Sequence, residues 1–185
     1  LIKSDIIFSR DLNIVFSAEY IPFKNNSIDN VFLMFVFHHI GNVEKLLTEI
    51  VRILKVSGEC TIVDPAITIW SKIYYKYFHP DRLDISAADW SFKVKGRKTF
   101  KKVALAWIVF FRDKEKFLLK FPQLKIDKIC YNTCISFLLS GGLRYKKLLP
   151  GFFIKIIFNI ENWIIRNVSN QISVTMSVKL KRIIE

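Results

Sequence analysis

A long apolar run, an amphipathic segment and a second apolar run follow one another in this sequence, and they constrain the fold most. The first run, Val31 to Phe37, is seven apolar residues long. Uninterrupted apolar runs are typical of strands that are buried on both faces, so the sequence predicts such a strand over residues 28–37. Two histidines, His38 and His39, follow directly and end the run.

The segment after the histidines has the period of a helix. Asn42 is a predicted N-cap and Gly58 a predicted left-handed stop, so we expect a helix over residues 43–55. A second buried strand is predicted over residues 59–63, ending at Asp64. The apolar stripe of the predicted helix consists of Val43, Leu46, Leu47, Ile50, Ile53 and Leu54.

A strand–helix–strand unit with buried strands implies a parallel sheet and a right-handed crossover. Ligands of such sheets bind beyond the carboxyl ends of the strands. A further short apolar stretch, residues 13–16, has the β-branched content of a strand. The sequence therefore directs attention to three strand ends, near residues 17–19, near residues 37–39 and near Asp64.

The second half of the chain is less regular. The sequence predicts a helix over residues 66–78, a strand over residues 125–132, a turn at residues 140–142 and an amphipathic helix over residues 152–168. Residues 172–180 alternate between apolar and polar side chains, which is typical of a half-wet antiparallel edge strand.

Length and composition fit a single folded domain. The chain has 185 residues, of which 51% are hydrophobic, so it can bury a core. The three cysteines lack the paired spacing of a zinc site, and we predict no metal. Their odd number favours reduced thiols, and no signal peptide opens the chain, so we predict a cytoplasmic location. No apolar run approaches the roughly 20 residues that span a bilayer.

Charge is distributed unevenly along the chain. Residues 1–64 contain six lysines and arginines against eight acidic residues, whereas residues 65–185 contain 23 against eight. The basic half and the segment 152–168 fit a non-catalytic module that binds an anionic membrane surface or another partner. The alternative interpretation of the positive charge is that the lysines lie on solvated faces and bind no partner. Lysines and aromatics are not interleaved as in nucleic-acid modules, and we predict no nucleic-acid partner.

Three motifs resemble those of class I methyltransferases that use S-adenosylmethionine. In order, they are Ala18-Glu19-x-x-Pro22-Phe23-x-x-x-Ser27-x-Asp29, then Phe37-His38-His39-Ile40, then Glu49-Ile50-Val51-Arg52-Ile53-Leu54-Lys55-Val56-Ser57-Gly58. Their order and spacing over residues 5–65 are similar to those of the methyltransferase type 11-like family.

The resemblance implies a Rossmann-like α/β fold with S-adenosylmethionine as cofactor. The implied sheet is mostly parallel with an antiparallel last strand. Residues 1–65 would form part of the cofactor-binding core. Residues 66–185 would add helices of an acceptor pocket or lid, and the final strands, within the same domain.

The resemblance also implies which residues bind the cofactor. Asp5 corresponds to the acid that accepts the ribose hydroxyls. Ser17, Ala18 and Glu19 correspond to the corner that binds adenine, where many relatives have an acid in place of Ser17.

Four further candidate residues lie at the end of the long strand. Phe35 and Val36 are expected to pack against the cofactor, with plain core packing as the alternative. His38 and His39 are candidate general bases toward the acceptor, since an imidazole titrates near neutral pH. The alternative is that they shape the loop beside the cofactor.

One element of the family pattern is missing. The Gly-rich loop that holds the methionine end of the cofactor follows the first strand of the family, and no residue before Asp5 supplies it. We therefore expect an amino-terminally truncated fragment that lacks the first strand–helix unit, with impaired methyl transfer. The acceptor is left open among small molecules, lipid-linked sugars and proteins, as is the oligomeric state.

Overall fold

The strands form two separate sheets in the computed structural model, which describes residues 1–77, 79, 83–91, 104–132, 136, 139 and 149–184. In the smaller sheet, β1 (Ser4–Asp5) and β2 (Ile14–Val15) pair in parallel. The larger sheet has the strand order β3-β4-β6-β5. Its strands are β3 (Ile28–Met34), β4 (Leu54–Pro65), β5 (Leu124–Asn132) and β6 (Thr175–Arg182).

Strand directions in the larger sheet confirm the predicted fold class. β3 and β4 are parallel, whereas β6 is antiparallel to both β4 and β5. The chain is thus a mixed α/β fold with a mostly parallel sheet and an antiparallel last strand. The predicted edge position of that last strand is wrong, because β6 lies between β4 and β5. Its flanking strands leave the side chains of β6 buried or half-buried rather than wet.

The first helix agrees with its prediction at one end. α1 (Val43–Ile53) begins after Asn42, whose side chain accepts a hydrogen bond from the Lys45 N–H at 3.0 Å. The helix ends two residues before the predicted end, because Leu54 is already the first residue of β4 and pairs with Ile28 of β3.

The predicted left-handed stop at Gly58 is wrong. Ser57 adopts the left-handed conformation, with φ of 67°. Gly58 is required by a close approach, since a Cβ there would lie 2.8 Å from the Lys55 carbonyl oxygen and 3.0 Å from that of Asp29.

The remaining described helices lie in the second half. α2 spans Ile69–Tyr77 and α4 spans Lys114–Lys120. A short α3 (Leu105–Trp107) continues as a π-helical turn, Ile108–Arg112. α5 (Gly151–Asn167) lies close to its predicted range, whereas the predicted turn at residues 140–142 is outside the described residues.

β3 differs from its prediction in length and in burial. It ends at Met34, three residues early, and Phe32 and Met34 are each 62% exposed. Val31 and Leu33 point to the other face and pack against the core. β3 pairs only with β4, so its second edge is unpaired within the described chain. A continuous apolar run therefore marks a strand with one buried face here.

The hydrophobic core lies against the buried face of the larger sheet. It combines the apolar stripe of α1 with residues of β4 and β6 and with the π-helical turn. Phe37, Phe110 and Phe117 are fully buried within it. Among the described residues, no helix is long and apolar enough to cross a membrane.

Candidate active site at the carboxyl edge of the parallel strands

The carboxyl ends of β3 and β4 bring a histidine and an aspartate together. Phe35 follows β3 in the left-handed conformation, with φ of 55°, and its N–H donates to the Val63 carbonyl at 2.8 Å. A 3-10 turn, Phe37–His39, comes next. This reversal leaves Nδ1 of His38 2.9 Å from Oδ1 of Asp64. A left-handed conformation at a non-glycine residue is uncommon and is often found at functional sites.

Asp64 is fully buried in this pair. Its Oδ2 has no hydrogen-bond partner among the described residues. Burial raises the pKa of Asp64 above its usual value, and the hydrogen bond with His38 opposes part of that rise.

His38 and His39 have different surroundings although they are adjacent. The His38 side chain is only 12% exposed and faces Asp64, whereas His39 is exposed to solvent. The His39 N–H donates to the Val36 carbonyl at 2.9 Å, and the two imidazole centroids lie 4.0 Å apart. His38 is therefore held by a buried acid.

Phe35 and Val36 connect β3 to this pair. Both are half-buried, and Val36 packs against the main core. Contact of both residues with the cofactor stays a prediction.

The candidate adenine corner is held by local hydrogen bonds. Oγ of Ser17 accepts from the Glu19 N–H at 3.3 Å. Oε1 of Glu19 accepts from the Asn42 N–H at 3.0 Å, which directs this carboxylate to the amino-terminal end of α1. Ala18 packs against the core, and its N–H makes no hydrogen bond to another described residue.

Asp5 ends β1 on the smaller sheet. Its Oδ1 accepts from the Ile7 N–H at 3.0 Å, which turns the chain back on itself after the strand. The residue is exposed. No backbone hydrogen bond in the described chain joins the sheet of Asp5 to the sheet of His38 and Asp64.

Glu49 and Arg52 form a contact that was not anticipated. The Arg52 guanidinium donates to the carbonyls of Ile21 and Phe23, each at 2.7 Å. Glu49 accepts from the Ile21 N–H at 2.7 Å, and its pKa is lowered chiefly by the hydrogen bond from Arg52. Two residues of the third motif thus hold the loop that carries the first motif. The sequence did contain a feature that indicates such an ion pair, namely a Glu and an Arg three positions apart on a predicted helix.

Asp64 was also missed as a site residue, although the strand end at Asp64 was recognised. The sequence feature that could have identified Asp64 is an acidic residue directly after a predicted buried strand. The partner, His38, lies 26 residues earlier and is brought into contact by the pairing of β3 with β4.

An open cleft of about 680 Å³ lies elsewhere, in the segment 66–185 that was expected to add helices of an acceptor pocket or lid. None of the predicted site residues lines it. Two of its lining residues, Arg112 and Asp113, pair with each other at 2.7 Å, and Asp113 also accepts from the Trp90 Nε1–H. No cluster of three metal-binding side chains occurs among the described residues.

Comparison with known families identifies the class of domain. Residues 7–62 match the family model described as "Methyltransferase domain". This segment is therefore similar to a methyltransferase domain, as the three motifs predicted, and S-adenosylmethionine is the cofactor of such domains. No curated protein matches the sequence.

Solved structures with similar folds are remote in sequence. A SAM-dependent methyltransferase from Archaeoglobus fulgidus is 16% identical, with a TM-score of 0.43, and the alignment covers 86% of this chain and 62% of that one. One from Methanosarcina mazei is 12% identical, with a TM-score of 0.48 and coverages of 93% and 67%. A putative methyltransferase from Haloferax volcanii, solved with the Trm112 methyltransferase activator, is 15% identical, with a TM-score of 0.46 and coverages of 97% and 65%. The chain thus spans less than two thirds of the Archaeoglobus and Haloferax proteins.

Two of the predicted cofactor-binding residues have functional groups that suit S-adenosylmethionine. Asp5 offers a carboxylate at a strand end and Ala18 offers a backbone N–H, the groups that ribose hydroxyls and an adenine ring nitrogen require.

Proposed function

We propose that this chain is part of an enzyme that transfers a methyl group from S-adenosylmethionine to an acceptor. The observation that carries the proposal is the location of the second motif, whose turn Phe37–His39 lies with Asp64 at the carboxyl ends of the parallel strands β3 and β4, where α/β sheets bind ligands. When bound, S-adenosylmethionine supplies a methyl group activated on a sulfonium.

Two sets of residues would serve this reaction. Asp5 would accept the ribose hydroxyls, and Ser17 with Ala18 would meet adenine, while Glu19 would fix their loop to α1. Phe35 and Val36 would line the cofactor on the side of β3.

His38 is the better candidate of the two histidines for receiving a proton from the acceptor. Asp64 contacts its Nδ1, which leaves Nε2 as the ring nitrogen available to an acceptor. Because the methyl donor is already activated, positioning supplies much of the catalysis, and His39 would shape the adjacent loop.

We propose further that a strand–helix unit outside this sequence completes the sheet. The unpaired edge of β3 and the exposed face with Phe32 and Met34 adjoin each other, and the pair β1–β2 stands as a separate sheet. A parallel strand added to β3 would satisfy its free backbone groups, and its helix would cover that face. Such a unit would bring the Gly-rich loop, and methyl transfer by the chain as given would be impaired without it.

Calorimetric titration with S-adenosylmethionine tests both parts of this proposal. We expect no measurable binding by this chain and clear binding by an amino-terminally extended chain. In the extended chain, Asp5→Asn should weaken binding about tenfold, which corresponds to about 1.4 kcal/mol, whereas Asp11→Asn at a nearby exposed position should not. An extended chain that folds and does not bind would refute the function, and tight binding by the present chain would refute the need for the added unit.

The acceptor we propose is a small molecule, a lipid-linked sugar or a protein side chain, handled in the cytoplasm. Residues 66–185 would form the acceptor pocket or lid beside the partial core of residues 1–65. A second candidate function is a non-catalytic basic module on an anionic membrane surface, which is favoured by the charge of residues 65–185 and by the apolar surface of α5.

A further inference from the structure

Helix α5 presents large apolar side chains to solvent. We define its outward face as Phe152, Phe153, Ile156, Ile160 and Trp163, which are between 42% and 70% exposed. Positions separated by three, four, seven or eight residues lie on the same side of a helix, so these five side chains form one stripe. Contiguous exposed apolar patches on soluble proteins generally mark an interaction site.

The opposite side of α5 is attached to the body of the protein. Glu161 and Ile165 are buried there. The Glu161 carboxylate accepts hydrogen bonds from the N–H of Ser136, at 2.7 Å, and from its hydroxyl. A buried carboxylate bound in this way sets the rotation of the helix, because turning α5 about its axis would expose Ile165 and break both hydrogen bonds.

The charges on α5 are complementary to an anionic surface. The helix has three ionisable residues, Lys155, Glu161 and Arg166. Glu161 is directed inward, so the exposed charges are both positive, and both lie beside the outward face. Exposed cations next to Phe and Trp side chains are typical of helices that lie in the headgroup region of a membrane.

The net charge of the whole chain argues against a second copy as the occupant of this face. The formal net charge is +13, so two copies brought face to face repel each other, whereas an anionic bilayer attracts the same charge. We infer that the outward face of α5 binds anionic membrane surfaces, with the helix lying in the plane of the interface. This inference names the surface for the second candidate function and holds whether or not the protein transfers methyl groups.

Vesicle flotation of the full chain tests the inference. Vesicles of phosphatidylcholine with phosphatidylserine are compared with phosphatidylcholine alone, at low and at high salt. We expect binding to the mixed vesicles that weakens with salt, and at least about a tenfold loss of affinity for the double variant Phe153→Glu with Trp163→Glu. Leu119→Glu on α4, where the side chain is 83% exposed, introduces the same charge elsewhere and should bind like the wild type.

A direct readout from Trp163 distinguishes insertion from adsorption. Its fluorescence should shift to shorter wavelength when mixed vesicles are added, and Trp163→Phe should remove the shift while vesicle binding persists. Thermal unfolding of each variant shows whether the fold is retained.

Three results would overturn the inference. They are no flotation at low salt, equal loss of binding in Leu119→Glu, and a dimer in sedimentation velocity that Phe153→Glu with Trp163→Glu dissociates while vesicles bind neither protein. None of them bears on S-adenosylmethionine binding, which the calorimetry measures separately.

Discussion

At the scale of single residues, replacing the neighbours Ser57 and Gly58 should change stability in opposite directions. Ser57 is left-handed, which a residue with a Cβ adopts at a cost, so Ser57→Gly should raise the free energy of unfolding by up to about 1 kcal/mol. Gly58→Ala should lower it by about 2 kcal/mol, because the new Cβ would press on backbone oxygens of Lys55 and Asp29.

Urea denaturation followed by circular dichroism measures both changes. Gly151→Ala is the matched control, since a Cβ there meets nothing within 4 Å. Equal effects of Gly58→Ala and Gly151→Ala would contradict the close approach at Gly58.

The buried carboxyl of Asp64 predicts a pH dependence of stability. Its folded-state pKa is raised by burial above the ordinary 3.8, so the unfolded state ionises first as the pH rises. The native protein therefore loses stability between that value and the raised pKa. Asp64→Asn has no such group, and its unfolding free energy relative to the wild type should increase as the pH rises above the ordinary pKa of 3.8.

Urea denaturation across this pH range checks the prediction for Asp64. In a His38→Ala background the change of this free-energy difference with pH should become larger, because His38 opposes the rise in the pKa of Asp64. Asp29→Asn at an exposed position serves as the control. A difference that stays constant with pH would show that burial does not disfavour the charged form of Asp64.

At the scale of elements, the contact between α1 and the loop before β3 depends on one guanidinium. Arg52→Ala removes donors to Ile21, Phe23 and Glu49, and should lower the free energy of unfolding by about 2 kcal/mol. Arg52→Lys should restore little of this, because an ammonium cannot reproduce the forked geometry. Denaturant unfolding measures the loss, and hydrogen exchange of the Ile21 amide should accelerate in both variants.

An exposed ion pair provides the comparison for Arg52. Lys55 contacts Asp29 at 2.8 Å, with side chains 48% and 71% exposed, so Lys55→Ala should cost less than about 1 kcal/mol. Full stability of Arg52→Lys would show that charge alone, rather than geometry, holds the loop.

Elements were predictable where local chemistry decides them. Asn42 caps α1 through its own side chain, and the apolar stripe of α1 sets the buried face, so the beginning of this helix follows from nearby residues. The burial of β3 depends on which elements pack beside it. The same apolar run occurs in the sequence whether or not a neighbour covers the second face of the strand. The central place of β6 is equally a matter of distant pairing, with β4 and β5.

The candidate site shows the same division. The strand ends near His38 and Asp64 were predicted from the parallel sheet, because that rule concerns topology. The contact between the two side chains was not, since it depends on the reversal at Phe35 and on the register that aligns Met34 with Val63. The Glu49–Arg52 contact, which joins two motifs, also needs the fold to bring residues together.

At the scale of the whole molecule, the two sheets and the open edge of β3 lead to one decisive comparison. Phe32 and Met34 are each 62% exposed, so the double variant Phe32→Lys with Met34→Lys should change the stability of this chain by less than about 0.5 kcal/mol for each position. If a strand–helix unit completes the sheet, the same substitutions would bury two charges in an extended chain. In the extended chain the two substitutions should lower the free energy of unfolding by several kcal/mol and abolish S-adenosylmethionine binding.

Unfolding in urea and calorimetry on the four proteins measure this difference directly. Tyr20→Lys with Tyr77→Lys is the control, because both tyrosines are 66% exposed and lie outside β3. Equal tolerance of the Phe32 and Met34 substitutions in both chain lengths would mean that nothing covers this face and that the sheet is complete as described. A large loss confined to the extended chain would locate the added unit against β3, because only a neighbour packed on that face can make these exposed positions costly.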